Sequence, residues 1–170
     1  MHREEYHDRR TTLTLTGVAL LGLALGALPQ LASGQQSDPR IGTWKLNLAK
    51  SKYSPSPPPR SNTAIFEAVG QGLRITTEGI DAQGNPTKTD TGVISFDAKS
   101  YPYTGNLAYD ARSYKQVNAS TIEYTSTKAG RVVQTTTMLI SADGKSRTLT
   151  TTGVDEKGQQ INNVGVWEKQ

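Results

Sequence analysis

Tyrosine, arginine and scattered carboxylates are the side chains of this 170-residue sequence best placed to do chemistry, because cysteine is absent and both histidines lie within the first seven residues. The rest of the chain therefore lacks the usual general base and the preferred ligands of zinc and copper. Serine–histidine and cysteine–histidine nucleophile systems are excluded. Glu67, Glu78, Asp97 and Glu123 have no spacing that fixes a common face, so a catalytic carboxylate pair is not indicated. We predict no cofactor, no metal and no catalytic residue.

Alternating polar and aromatic residues point instead to binding of a small molecule. Arg112, Tyr114 and Gln116 share one face of a strand, as do Ile122 and Tyr124 on the next segment. If that face points inward, the Arg112 guanidinium can pair with a ligand carboxylate in fork geometry; if it points outward, the segment is an ordinary solvated strand. Tyrosines suit the mouth of a pocket, although they are also good strand residues; the candidates are Tyr101, Tyr103, Tyr109, Tyr114 and Tyr124. The predicted ligand contacts are Trp44, Phe66, Arg112, Tyr114, Tyr124 and Met138.

Short strands must position these side chains. Thr, Val, Ile and Tyr dominate after residue 40, Gly-containing turns separate the segments, and no helical period persists. Nearly all segments are joined by tight turns, which make neighbours antiparallel, and a long antiparallel meander removes its edges by closing. The sequence therefore predicts an all-β, up-and-down antiparallel barrel of eight to nine strands. The predicted strands are 41–48, 62–69, 73–80, 87–97, 112–117, 121–128, 131–141, 146–154 and 161–168.

Two longer connections interrupt this meander. Residues 49–60 contain four prolines and are predicted to be an extended surface connection that cannot join a sheet interior. Residues 98–109 are predicted to be a loop. An internal repeat is also present, because 75–84 lines up with 149–158 at an offset of 74 residues. This pattern indicates either a duplicated hairpin or the chance similarity of Thr-rich strands with Gly turns.

The N-terminal segment has the order of charges and apolar residues found in secretory signal peptides. Three arginines precede an apolar run over 13–31, which ends in Ala32-Ser33-Gly34. A membrane anchor is the alternative, although Gly, Thr and Pro dilute the run, and the export route, Sec or twin-arginine, stays open. We predict a signal peptide over 1–34, a segment 35–60 with the first strand and the Pro-rich connection, and the remainder of one barrel domain over 61–170. Cleavage would remove His2 and His7 and leave a periplasmic or secreted chain with no stable membrane span.

The segment Gly42-Thr43-Trp44 resembles the Gly-x-Trp pattern at the start of the first strand in lipocalins and the wider calycin group. The resemblance implies that Trp44 seals one end of the barrel beneath a basic side chain from a late segment, for which Lys169 is a candidate. Nearly all of the mature chain is also similar to small exported bacterial proteins of uncharacterised, lipocalin-like families. The similar blocks are 42–47, 50–53, 97–105 and 166–169. This resemblance implies a fold and export, with no established activity.

These observations predict an exported, non-enzymatic, lipocalin-like protein that binds a small hydrophobic or amphipathic ligand in its lumen. Segments such as 112–116 and 148–152 are largely polar, which is typical of a partly hydrated lumen or, alternatively, of a thin core with polar outer faces. A pocketless structural or envelope-interaction protein, acting through its strand faces and residues 54–59, is the alternative function. An enzyme would need a buried carboxyl pair or a Tyr–Lys pair at a cleft. Basic residues form no patch, so nucleic acid is not a predicted partner; the oligomeric state stays open.

Overall fold

Ten strands and one short 3-10 helix are formed by residues 38–170, the part of the chain that the computed structural model describes. The helix is Leu48–Lys50. The strands are β1 Gly42–Leu46, β2 Ser61–Val69, β3 Gly72–Ile80, β4 Pro86–Ile94, β5 Asp97–Pro102, β6 Ala111–Gln116, β7 Thr121–Lys128, β8 Arg131–Ile140, β9 Ser146–Val154 and β10 Gln160–Lys169. The signal peptide predicted over 1–34, with its two histidines, lies outside the described residues and stays a prediction. Within 38–170, no helix has the length and apolar character needed to cross a membrane.

The strands form an up-and-down, nearly closed antiparallel barrel. Each strand pairs with its neighbour in the chain, except that β4 does not pair with β5, and β1 pairs with β10. The sheet order is therefore β4-β3-β2-β1-β10-β9-β8-β7-β6-β5. This order confirms the predicted all-β barrel, with ten strands rather than eight or nine.

The extra strand, β5, lies in the region where the sequence predicts a loop over 98–109, so that prediction was wrong for residues 98–102. The segment Asp-Ala-Lys-Ser-Tyr-Pro is exposed along almost its whole length, so it carries no alternation of apolar and polar residues. It pairs only with β6, with a register shift between Asp97 and Ser100. Because one edge is unpaired and no face is fully buried, the usual sequence signal for a strand is missing here.

The barrel is open between β4 and β5, which are joined by the two-residue link 95–96 but do not pair with each other. We call this gap between their unpaired edges the seam. Charged side chains lie on the strands that flank the seam, in the ion pairs Arg74–Asp90, Lys88–Glu78 (2.7 Å) and Lys99–Asp97 (3.1 Å). Charged residues on an edge strand discourage pairing with another chain. We therefore expect the charged side chains to protect the seam against edge-to-edge aggregation, although no backbone hydrogen bonds between β4 and β5 close it.

The barrel has a lower end, where β1 begins, and an upper end, where β1 ends. Antiparallel order puts the links 95–96, 117–120 and 141–145 at the lower end and the longer connections 47–60 and 103–110 at the upper end. Large apolar side chains occupy the inward positions nearest the lower end. These are Trp44, Phe66, Leu73, Ile94, Tyr114, Ile122, Tyr124, Met138, Ile140 and Trp167.

The upper part of the interior is polar by comparison. Thr136 and Thr151 share a hydrogen bond of 2.8 Å across β8 and β9, and Gln134 donates to the Val154 carbonyl at 2.9 Å. The Asn62 Oδ1 atom is buried and has no hydrogen-bond partner among residues 38–170. Side chains near the upper end therefore satisfy part of their polar groups among themselves and leave the remainder for water or a ligand.

The internal repeat corresponds to two similar hairpins, β2–β3 and β8–β9. The turns that follow them have the same hydrogen bonds: Asp81 and Asp155 each accept, through Oδ1, from the backbone N–H four residues later. The backbone pairs Asn62 with Gly79 and Gln134 with Gly153. The second strands and turns are thus related by 74 residues, but the first strands by 72, because the two hairpin loops differ in length.

Candidate functional site

Trp44 lies at the lower end of the barrel and is completely buried. Its Nε1 donates a hydrogen bond to the Arg40 carbonyl at 2.9 Å, which satisfies the only polar atom of the indole. The Lys169 ammonium lies 5.3 Å from the centre of the ring and donates to the Pro39 carbonyl at 3.0 Å. The residues just before β1 and the last residues of β10 therefore meet over Trp44 and cover this end.

Arg147, on β9, is a second basic side chain over Trp44, and sequence reasoning missed it. It is 2% exposed, and its guanidinium carbon lies 4.8 Å from the Trp44 ring, 4.2 Å from the Phe66 ring and 5.0 Å from the Trp167 ring. Within the part of the chain that the structure describes, the Arg147 Nε has no hydrogen-bond partner. Burial lowers the pKa of Arg147 to about 10, so it stays charged at neutral pH. The sequence contained one signal for the inward position of Arg147: it lies two residues before Leu149, and residues two apart in a strand share a face.

Arg112 is the centre of a second aromatic cluster, nearer the upper end. Its guanidinium carbon lies 4.6 Å from the Tyr103 ring, 4.5 Å from the Tyr109 ring and 5.6 Å from the Tyr124 ring. Nε donates to the Ser126 hydroxyl at 3.0 Å, and Nη2 donates to the Tyr109 hydroxyl at 2.5 Å. The face that carries Arg112 and Tyr114 therefore points into the barrel, which was one of the two alternatives that the sequence left open.

Arg112 has neutral partners only, among the residues that the structure describes, since no carboxylate in 38–170 lies within ion-pair distance of it. Burial lowers the pKa of Arg112, but its interaction with Tyr109, Tyr103 and neighbouring tyrosines outweighs this, and the net shift is upward. The side chain is thus a permanent cation in a partly desolvated setting. Such a charge gains most from an anion that approaches from inside the barrel.

The other five predicted ligand contacts are packed into the apolar interior. Trp44, Phe66, Tyr114, Tyr124 and Met138 are each no more than 4% exposed. The Tyr114 and Tyr124 rings meet edge to face, 5.1 Å apart, and the Tyr124 hydroxyl donates to the Met138 sulfur at 3.0 Å. All five residues remain predicted ligand contacts. The structure packs them together in the apolar interior on the lower side of Arg112.

Gln116 and Tyr101 are the candidates whose positions have not yet been described. Gln116 is exposed near the lower end of β6, away from the Arg112 cluster. Tyr101 is bonded to the Ser95 N–H at 3.1 Å and lies 6.2 Å from the Tyr114 ring. Of the predicted mouth residues, only Tyr103 and Tyr109 lie at the upper end and contact Arg112.

Burial of four tyrosines is expected to make the folded chain less stable at alkaline pH. Burial raises the pKa of Tyr53, Tyr109, Tyr114 and Tyr124 above the ordinary value of 10.0. In the unfolded chain these phenols lose their protons near pH 10, whereas in the folded chain they keep them. Their contribution to stability is therefore fully present below about pH 10 and is lost as the pH rises beyond it. We expect cooperative unfolding in that range, measured by circular dichroism together with tyrosinate absorbance.

Arg147 acts in the opposite direction, because its lowered pKa makes the folded state lose a proton first. Because four tyrosines have raised pKa values and one arginine has a lowered pKa, we still expect alkali to destabilise the folded chain. The variant Tyr114→Phe, which removes one buried phenol, is expected to shift the transition to higher pH. A transition at the same pH in both proteins would contradict this account.

A separate recess of about 310 Å³ lies at the upper end of β8 and β9. Its lining has no ionisable side chain and includes Val132, Gln134, Thr135, Thr152, Gly153 and Val154. Within the described part of the chain, no three histidine or carboxylate side chains are close enough together to hold a metal ion. Arg112 and the tyrosines around it are therefore the strongest candidate site.

Comparisons with known proteins add a structural likeness. No family model matches the chain, and no curated protein matches it. A solved structure to which it is similar is that of the siderocalin Ex-FABP, which is described as functioning through dual ligand specificities. The TM-score is 0.36 and the sequence identity 9%, over 78% of this chain and 71% of that chain. The fold assignment therefore depends on the strand topology described above.

Proposed function

We propose that the chain is an exported, non-catalytic binding protein that holds a small amphipathic molecule in the upper part of its barrel. The anionic head of that molecule would pair with Arg112, and its apolar part would lie against the tyrosine rings beneath. No catalytic step is included, because residues 35–170 contain neither histidine nor cysteine. The sequence offered a ligand carboxylate as the partner of Arg112 only if its face points inward, and the inward position of Arg112 in the barrel supports that alternative.

The observation that carries this proposal is the guanidinium of Arg112 in an aromatic, partly desolvated setting with hydrogen bonds to hydroxyl groups only. A cation held away from water loses solvation that neutral hydroxyls replace only in part. A ligand carboxylate would restore the missing charge interaction through charge-assisted hydrogen bonds. The buried Asn62 Oδ1, which has no hydrogen-bond partner among residues 38–170, also lies in the upper part of the barrel. It can accept a hydrogen bond from a donor group of the ligand, which supports the upper part of the barrel as the binding site.

Paired fluorescent probes test this function directly. Dansylaminoundecanoic acid carries a carboxylate and an apolar chain, and its methyl ester differs only by the loss of the charge. We expect saturable binding of the acid with one site per chain, and at least about tenfold weaker binding of the ester, since a hydrogen bond to a charged group contributes about 1.5–3 kcal/mol. Absence of saturable binding for both probes would overturn the proposal.

The pocketless structural protein is a second candidate because the lower interior is tightly filled. Five of the six predicted ligand contacts are no more than 4% exposed, which favours a solid barrel in that region. Native mass spectrometry of the protein purified from its own host separates the two functions. A retained small molecule would favour ligand binding, whereas a retained protein partner without a small molecule would favour the structural role.

A further inference from the structure

We infer that the connection 103–110 is a lid at the upper end of the barrel and that its contacts with Arg112, which we call the latch, hold it closed. The anionic head of a ligand opens the lid by replacing the Tyr109 hydroxyl as the acceptor of the hydrogen bond from Arg112. The inference rests on the proposed function, because the same guanidinium binds the ligand. It adds regulation: ligand binding and movement of the connection become one coupled step.

Two tyrosines attach the lid to Arg112. Tyr103 and Tyr109 stand at opposite ends of the connection, and their ring centres are only 4.9 Å apart. Both rings contact the Arg112 guanidinium at 4.5–4.6 Å, and the Tyr109 hydroxyl accepts from Nη2. A guanidinium close to aromatic rings is held by cation–π attraction, which strengthens as water is removed. One side chain of β6 therefore holds both ends of the connection.

The lid also covers the upper part of the seam between β4 and β5. The Tyr103 hydroxyl donates to the Thr89 hydroxyl at 3.3 Å, across the gap. Gly105 passes so close to β4 that a Cβ at this position would lie 2.6 Å from the Lys88 carbonyl oxygen, and its φ is +83°. A residue with a side chain would not fit there without movement. The connection thus lies directly against β4, and its release would open the barrel at the place where no backbone hydrogen bonds close it.

The remainder of the lid has few attachments to the barrel. Its base is fixed by backbone hydrogen bonds from Tyr103 to Asp110 (2.8 Å) and from Asp110 to Thr127 (2.9 Å). Its tip is held by a local bond from the Ala108 N–H to Asn106 Oδ1 at 2.8 Å, and Leu107 is 81% exposed. Because the base is fixed while residues 106–108 have no hydrogen bond to a strand of the described chain, the connection can swing once the tyrosines are released.

Competition for Nη2 of Arg112 provides the trigger. The Tyr109 hydroxyl is a neutral acceptor, whereas a carboxylate or phosphate makes a charge-assisted hydrogen bond that is about twice as strong. When the anion takes Nη2, the buried Tyr109 hydroxyl loses its partner. Leaving that group unsatisfied in the interior is unfavourable, so the tyrosine gains by moving to water, and the connection moves with it.

A distance measurement between the tip of the lid and β4 tests the inference on the full chain. The protein has no cysteine, so Lys88→Cys with Leu107→Cys creates the only two sites for nitroxide labels. Both side chains are exposed. We expect one short distance without ligand and a second, longer distance when dansylaminoundecanoic acid is added, but not with its methyl ester.

The variant Tyr109→Phe, made in the same labelled protein, tests the latch without any ligand. It keeps the ring and removes the hydroxyl, so we expect the longer distance to increase in population about 10- to 100-fold. Tyr53→Phe is the matched control, because it removes the same atom from the other upper connection and should leave the distances unchanged. An unchanged distance in Tyr109→Phe would overturn the latch.

The remaining outcomes separate this inference from the proposed function. If the acid binds, as its dansyl fluorescence reports, while the label distance stays constant, the lid is overturned and the binding function stands. If neither probe binds, the proposed function and the ligand trigger fail together, and Tyr109→Phe still decides whether Arg112 latches the connection.

Discussion

Replacing Trp44 with alanine is expected to lower the free energy of unfolding by about 3–5 kcal/mol, the range found when a large buried aromatic residue is truncated. Trp44 is fully buried and packs among side chains from the first, second, ninth and tenth strands. Removal of the indole leaves a cavity at the place where the first and last strands close the barrel. Because a domain of this size is stable by about 5–15 kcal/mol in total, the variant loses a large part of its stability.

Arg147 makes the expected loss larger than the burial of the ring alone would suggest. Burial lowers the pKa of Arg147 to about 10, which corresponds to a cost of about 3 kcal/mol for keeping the charge inside the barrel. Its contacts with three aromatic rings, each worth up to about 2 kcal/mol when desolvated, offset that cost. Without Trp44, one of these contacts is lost, and the charge stays buried with less compensation.

Urea denaturation followed by circular dichroism measures this effect, and Trp167 remains as a fluorescent reporter in the variant. Val132→Ala is the matched control, because Val132 is 64% exposed and its truncation should change stability by no more than about 0.5 kcal/mol. A loss below about 1 kcal/mol in Trp44→Ala would show that the cluster at the lower end does not hold the barrel together.

Replacing Arg112 with glutamine is expected to weaken binding of dansylaminoundecanoic acid by about 10- to 100-fold, because a charge-assisted hydrogen-bonded pair is lost. Affinity for the methyl ester should change little, since the ester carries no charge. Glutamine can still donate a hydrogen bond towards Ser126, so the variant tests the charge with limited disturbance of packing. Fluorescence titration gives the affinities, and an unfolding curve of the variant shows whether the fold is retained.

Arg131→Gln is the control for this experiment, because it removes the same charge from an exposed position at the start of β8. It should leave both affinities unchanged. Lysine at position 112 keeps the charge but loses the planar fork, so an intermediate affinity is expected. If the Arg112→Gln variant bound the acid with wild-type affinity, the proposed role of Arg112 would be contradicted.

The strand pattern could be predicted in most of the chain because alternation there is strong. β8 is the clearest case: Gln134, Thr136, Met138 and Ile140 are buried, and the residues between them are exposed. β5 could not be predicted, because its exposed residues have no such alternation and its position depends on pairing with β6 alone. Sequence signals for a strand come from burial of one face, so they are missing where neither face is buried.

The candidate site was predictable in part. The alternation of Arg112 with Tyr114 puts them on one face, but whether that face points inward depends on strand register, and a shift by one residue reverses it. Arg147 was missed, although the resemblance implied a basic partner for Trp44 from a late segment, because the sequence alone does not show which late basic side chain points inward over the ring. Arg147 and Lys169 both reach the ring in the structure.

Strand-forming residues and tight turns are local properties of the chain, so an antiparallel β meander that curls into a barrel could be predicted from the sequence alone. The lack of histidine and cysteine in residues 35–170 is likewise a matter of composition. Packing between strands brings Arg147 over Trp44, joins Tyr103 and Tyr109 at Arg112, and leaves the seam between β4 and β5. These features join residues from different strands, and their distances are fixed by register, twist and packing across the whole barrel.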